Sequence, residues 1–125
     1  MDFEPELVKG SIVPIVLALL SERAMYGYEI VKLVNARSGG RLEWKEGTLY
    51  PTLHRLEGDG LLRSRWAAAG ATKAEAGDAG ETGAAGRQRK YYSITGKGRA
   101  ELARRSEAWR EFSTAVNSIL LGGQA

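Results

Sequence analysis

Apolar and polar positions follow two periods along this chain, one helical and one extended, and the change between them marks the elements. In residues 46–60, Leu49, Leu53 and Leu56 fall on one narrow stripe when successive residues are turned by about 100°. Gly47, Pro51, His54 and Arg55 point the other way, with Thr48 and Tyr50 on the flanks. The outward face offers small residues, a rigid ring, a phenol and a guanidinium; Glu57 and Asp59 come only at its end. A helix that enters a DNA major groove needs such a face, short enough for close approach and supplied with donors for bases and phosphates. An ordinary amphipathic helix with a solvated polar side has the same pattern in isolation, so the neighbouring elements decide. Pro51 removes the bond to the Gly47 carbonyl and disfavours helical angles at Tyr50. The expectation is an irregular or 3₁₀ first turn, a regular helix over 51–58, and a stop at Gly58 and Gly60.

Residues 5–20 read as a first helix, with Pro5 in its first turn and apolar positions around nearly the whole circumference. A chain this small has little of its own to cover such a helix, which points to a partner subunit. A second helix over 26–37 carries Ile30, Leu33 and Val34, and Ser38-Gly39-Gly40 stops it. Tyr28, beside Ile30, is assigned to the core. Residues 41–44 alternate and read as a short strand. The helices on either side of it form a helix-turn-helix-like pair.

Beyond Gly60, residues 61–66 and 88–94 read as two strands rich in β-formers. Between them, 67–86 is almost entirely Ala and Gly, a composition that buries too little to offset its ordering entropy. A flexible hairpin tip is expected there, and two strands with such a tip make a wing. Thr95 is a natural N-cap for a last helix ending near residue 121. On it Leu102, Trp109 and Val116 are spaced by seven, as are Phe112 and Ile119, with Arg105 the one polar member. This seam reads as a homodimer interface, with intrachain core as the alternative. The fold class is therefore mainly α with a small β-hairpin (α+β). It is a winged helix-turn-helix over 1–94, followed by a C-terminal dimerisation helix over 95–125.

Composition narrows the chemistry. The 125 residues contain no cysteine and one histidine, so neither a sulfur-ligated zinc site nor a His-rich metal site is expected. His54 has no second ligand candidate nearby. No nucleophile triad, phosphate-cradling glycine motif or convergent carboxylate pair stands out, so no enzyme and no cofactor are expected. The longest apolar run, 12–20, contains Pro14 and is too short to span a bilayer, making a cytoplasmic location the default. Net charge is only +3, but Arg87, Arg89, Lys90, Lys97 and Arg99 form a run without acids, the footprint of a polyanion binder.

Taken together, Tyr26-Gly-Tyr-Glu-Ile30, Gly47-Thr-Leu-Tyr-Pro51 with Leu53, Arg55-Leu-Glu57, Asp59-Gly60, and Arg89-Lys-Tyr-Tyr92 with Thr95 and Gly98 resemble the PadR family of transcriptional regulators. The single terminal helix resembles the smaller branch of that family. The resemblance implies a dimer that binds palindromic operators, usually as a repressor, and that dimerises through the terminal helix with help from the first. It implies, for many members, a response to small aromatic or phenolic compounds or to drugs. In some multidrug-sensing members a terminal-helix tryptophan lines a pore between subunits, and Trp109 occupies the corresponding place. Two features depart from the pattern: Lys45-Glu46 is a poorer cap than a small polar residue before proline, and the wing tip is long and bland.

The expected DNA-binding residues are Tyr26, Thr48, Tyr50, Pro51, His54, Arg55, Arg87, Arg89 and Lys90. Thr48, Pro51, His54 and Arg55 are placed nearest the bases, and the tyrosines and wing cations on phosphates. For Tyr26 the alternative is a half-buried ring packed beside Tyr28. The expected dimer interface comprises Leu102, Trp109, Phe112, Val116 and Ile119. Trp109 and Phe112 would form a slot for a planar aromatic effector, or else simply fill the seam. The function expected is a ligand-responsive repressor on double-stranded DNA; the alternative is a winged-helix module that binds a protein.

Overall fold

The computed structural model describes residues 8–68 and 88–122. Among these residues the chain forms α1 (Ile12–Leu20), β1 (Met25–Tyr26), α2 (Gly27–Arg37), α3 (Glu46–Gly58), β2 (Leu62–Ala68), β3 (Gln88–Ile94) and α4 (Gly96–Leu120). The α+β architecture of four helices and a three-stranded antiparallel sheet agrees with the sequence reading.

The core lies where α1, α2 and α3 meet the inner face of the sheet. Leu17, Leu20, Met25, Ile30, Leu49, Leu53 and Leu56 are its most deeply buried members. The α3 stripe read from the sequence is thus the stripe that is buried. Tyr28 is not part of it: 51% exposed, it points outward with the Lys32 ammonium 5.6 Å from its ring. Two positions before Ile30 lies about 200° round a helix, so both residues cannot face the core.

The expected first helix is interrupted within the described residues. Val8 and Lys9 are helical, a turn at Gly10 and Ser11 follows, and the regular helix begins at Ile12. Pro14 explains the break, because it has no N–H to give the Gly10 carbonyl and its ring crowds that oxygen. At the third helical position it leaves the remaining turns of α1 intact.

The stretch 41–44 is not a strand. Leu42 and Trp44 do turn inward onto the core, which accounts for the alternation, but among the described residues no strand lies beside them to pair with. The third strand is instead the two-residue β1, with Met25 opposite Tyr92 and Tyr26 opposite Tyr91. Two residues are too few to show a period.

Helix α3 runs without a distorted first turn from Glu46, and Pro51 sits inside it. The bond that Pro51 omits would have joined Gly47, and both residues are exposed, so solvent reaches the freed carbonyl. Gly47 also offers no side chain to crowd the ring. Burial of Leu49 and Leu53 on the opposite side then outweighs the local preference of Tyr50. No side chain caps the helix at Lys45. At the other end Gly60 takes φ +82°, which lets the Leu61 N–H bond back to the Leu56 carbonyl at 3.0 Å.

The wing hairpin pairs Leu62 with Ile94 through to Ala68 with Gln88. Ala67 and Ala68, assigned to the tip by composition, therefore belong to β2, since a backbone ladder needs nothing from their side chains. The remainder of the expected tip, 69–86, lies outside the described residues. Thr95 caps α4 as expected, accepting from the Gly98 N–H at 3.0 Å and donating to the Gly60 carbonyl at 2.7 Å. Lys97 Nζ donates to the Asp59 carbonyl at 2.9 Å, so the start of α4 is tied to the end of α3.

Candidate nucleic-acid interface

The outward face of α3 is built as its period requires. Gly47, Thr48, Tyr50, Pro51, His54 and Arg55 are all exposed, while Leu49, Leu53 and Leu56 hold the helix to the core. Thr52, between the two faces, is buried and donates its hydroxyl to the Thr48 carbonyl at 3.2 Å. Thr48, Pro51, His54 and Arg55 thus share one surface of a rigid helix.

Beside it lies a cleft of about 360 Å³ between α3, the start of α2 and the wing, lined by Tyr26, Tyr50, Trp66, Arg89, Lys90 and Tyr92 among others. It brings together four of the expected phosphate-holding residues from three separate elements. The Arg89 guanidinium stacks 4.2 Å from the centre of the Tyr26 ring, and Tyr26 in turn meets Tyr91 edge-on at 5.5 Å. A stacked guanidinium keeps its N–H edge available while its flat face is held. Tyr26 is half-buried, so both readings of it have substance: its ring packs, and it lines the cleft. Its backbone N–H donates to the Glu29 carboxylate at 3.4 Å, and Glu29 is paired with Arg23.

Burial pushes the Tyr50 phenol up from its ordinary range, and the neighbouring Glu46 and Tyr92 add to the shift. Tyr50 therefore keeps its proton and can donate to an anionic oxygen. Lys90 is less free than its place on the wing implies. Its Nζ lies 3.7 Å from a Glu57 carboxylate oxygen and 5.5 Å from the centre of the Tyr92 ring. The other Glu57 oxygen accepts from the Ser64 hydroxyl at 2.6 Å. Glu57, at the far end of α3, thereby holds both wing strands. The sequence shows Glu57 only as an acid ending a helix, because its partners come from 7 and 33 positions away. Arg87 lies outside the described residues. Trp66 and Gly27 are among the cleft residues that escaped the sequence reading. Trp66 reads there as one aromatic of a strand, and Gly27 gives no sign that Tyr50 needs its missing side chain.

The terminal helix carries a second surface. Trp109, Phe112 and Ile119 are exposed and Val116 is half-buried, whereas Leu102 packs against the core of its own chain. Trp109 and Phe112 lie 6.5 Å apart with their rings inclined at 48°. On one side of Trp109 is an apolar groove of about 290 Å³ formed with Pro14, Ile15 and Ala18 of α1. On the other is a more polar groove of about 310 Å³ bordered by Arg104, Arg105 and Phe112. Arg105, the polar member of the seam, is paired with Glu101 at 2.6 Å, and Arg104 joins the same carboxylate. These two guanidiniums hold the Glu101 carboxyl down at about 2. Among the described residues no His, Cys, Asp and Glu are grouped to hold a metal ion, and no helix is long and apolar enough to cross a membrane.

A helix-turn-helix with an exposed second helix, flanked by a β-hairpin that carries cations, defines a winged helix-turn-helix protein. The profile of the PadR-like transcriptional regulator family matches residues 16–104, and the chain belongs to that family. A solved transcriptional regulator from Clostridium thermocellum is 28% identical and superposes with a TM-score of 0.77, over 94% of this chain and 98% of the other. A PadR-family regulator from Eggerthella lenta is 32% identical at a TM-score of 0.69, over 92% and 86% of the two chains. A transcriptional regulator of Mycobacterium tuberculosis is 40% identical over 79 residues, 63% of this chain and 56% of that protein. The chain is a DNA-binding, winged-helix transcriptional regulator.

Proposed function

We propose that this protein is a ligand-responsive repressor that binds an inverted-repeat operator as a homodimer in the cytoplasm. The observation that carries the DNA-binding arrangement is the exposed face of α3, with Thr48, Pro51, His54 and Arg55 outward and the leucine stripe locked inward. Those four residues read base edges in the major groove. Tyr26, Tyr50, Arg89, Lys90 and Arg87 hold the phosphates on either side.

The dimer forms through Trp109, Phe112, Val116 and Ile119, with Leu102 at the inner end of the seam. Support comes from the apolar side chains that α4 leaves uncovered, Ile119 at 81% exposure among them. Residues 1–94 make the DNA-binding unit and 95–125 the dimerisation helix. The grooves flanking Trp109 favour a planar aromatic effector at the subunit boundary, where it would change the distance between the two α3 helices.

Selection of bound sequences from a random DNA pool tests the reading. An enriched inverted repeat, with half-sites about one helical turn apart, is the expected result. A salt titration on random duplex separates DNA binding from the protein-binding alternative, because phosphate contacts give a steep negative slope.

A further inference from the structure

The cleft beside α3 is also bordered by Trp66, which has no part in the DNA docking proposed for α3 and the wing cations. Trp66 stands on β2 with 60% of its surface exposed, directly opposite Lys90 in the hairpin register. Alternate residues of a strand share a face, so Trp66 continues the face of Leu62 and Ser64. Leu62 is in the core and Ser64 is bonded to Glu57 of α3. By Trp66 this face has run past the core, and the indole borders the cleft with Arg89 and Lys90.

We propose that Trp66 packs on the deoxyribose of the DNA strand that crosses this cleft, and that it is a sequence-independent positioning contact. The inference rests on the proposed DNA-binding function. A helix in the major groove is flanked by the two backbones that border the groove. On the flank of α3 that carries Tyr50, the space a backbone must occupy is this cleft. A nucleic-acid strand alternates a charged phosphate with a largely apolar sugar edge. The lining offers a matching alternation: the guanidinium of Arg89 and the ammonium of Lys90, the phenols of Tyr26 and Tyr50, and an exposed indole plate beside them. The cations are suited to the phosphates, while the indole has one N–H and a broad apolar face suited to the sugar.

The test uses the full chain, its selected operator and a random duplex, each titrated over a range of salt. Trp66→Ala is expected to weaken both duplexes by the same factor, roughly tenfold as for a buried aromatic at an interface, with the salt slope unchanged. Trp66→Phe retains most of the affinity. Arg89→Ala, run in parallel, lowers the slope by about 1. In a Trp109→Phe background, where the other tryptophan is the buried Trp44, DNA shifts and quenches the emission of Trp66. This emission test also holds if Trp66→Ala folds poorly.

Equal affinity of Trp66→Ala and the parent chain overturns the proposal. So does a loss accompanied by a flatter slope, which would make the indole only a prop for Arg89 and Lys90. A loss confined to the operator would mean base reading, and emission indifferent to saturating DNA would place the indole off the strand. Either result also overturns it. Absence of any salt-dependent DNA binding by the parent chain is a different failure, that of the DNA-binding reading itself.

Discussion

Tyr50 of α3 rests so closely on Gly27 of α2 that a Cβ at position 27 would stand 2.1 Å from its ring carbon Cε1 and 2.9 Å from its hydroxyl oxygen. The contact sets how near the two helices of the helix-turn-helix approach each other. It also fixes the Tyr50 phenol at the mouth of the cleft, next to the first turn of α2. Packing and the proposed DNA-facing surface are therefore coupled through a side chain that is absent.

Gly27→Ala is accordingly expected to displace the Tyr50 ring, and because the displaced atoms are the far end of a 43% exposed side chain the loss of stability should stay below about 1 kcal/mol. Urea unfolding midpoints check this, while operator affinity should fall because the Tyr50 phenol is displaced. The cause is tested by a cycle with Tyr50→Ala, in which the cost of Gly27→Ala should largely disappear. Additive costs would show that the clash lies elsewhere.

Glu57→Gln separates the tether on the wing from its charge. The Ser64 and Lys90 contacts are partly solvated, so the loss of stability should stay below about 1 kcal/mol. Lys90 is released from its carboxylate and one negative charge leaves the DNA-facing side. Affinity for operator and random duplex should therefore rise together, with a steeper dependence on salt. A fall in affinity would mean that wing placement matters more than the freed charge. Lys90→Ala should do the reverse, weakening all sequences alike and flattening the slope.

The sequence made these elements legible in proportion to how local their causes are. The leucine stripe of α3, the Thr95 cap and the second wing strand depend on residues within a few positions of one another, and each lies where the pattern placed it; the first wing strand runs two residues further than its composition suggested. The break before Ile12 was legible in principle, since Pro14 acts on Gly10. What stayed hidden depends on distant partners or on what lies alongside. The residues 41–44 alternate like a strand but have no neighbouring strand among the described residues, while β1 has a neighbour but no room to alternate. Within the site, the face of α3 was readable because helical geometry fixes it. The Glu57 bonds to Ser64 and Lys90, the stacking of Arg89 on Tyr26 and the approach of Tyr50 to Gly27 all join residues that only the tertiary fold brings together.

Base and phosphate contacts should differ in kind. Arg55→Ala is expected to cost about 1–3 kcal/mol on the selected operator and to relax preference at one base position. On random duplex it should change little. Arg89→Ala should weaken both duplexes equally. Competition binding with single-base operator variants distinguishes the two patterns, and equal losses on every variant for Arg55→Ala would move that residue to the backbone.

The terminal helix should decide the oligomeric state. Phe112 and Ile119 are 63% and 81% exposed in one chain, so a charge at either position has little to disturb within it. Ile119→Glu is expected to leave helicity intact while shifting sedimentation from dimer to monomer at micromolar concentration. The inverted repeat should then be bound as two independent half-sites. A parent chain that sediments as a monomer, with no gain from the second half-site, would remove the dimer from the mechanism.

Trp109 gives the effector site its test. Its indole is 53% exposed, inclined to Phe112 and open on two sides to the grooves it makes with α1 and with its own helix. A partner helix laid on this surface either fills both grooves or leaves one open beside the indole, and only the second arrangement holds a ligand. The apolar groove against Pro14, Ile15 and Ala18 favours a flat hydrophobic compound. The groove near Phe112 is bordered by two arginines that share a single carboxylate, Glu101, so this edge keeps a net positive charge. A neutral planar compound is therefore expected to bind better than its cationic analogue. Titration of the protein with matched pairs of such dyes, followed by Trp109 emission, should give saturable quenching that Trp109→Ala abolishes. Bound compound should lower operator affinity, and operator should lower compound affinity by the same factor. Emission that no compound alters would assign Trp109 to the packing of the dimer alone.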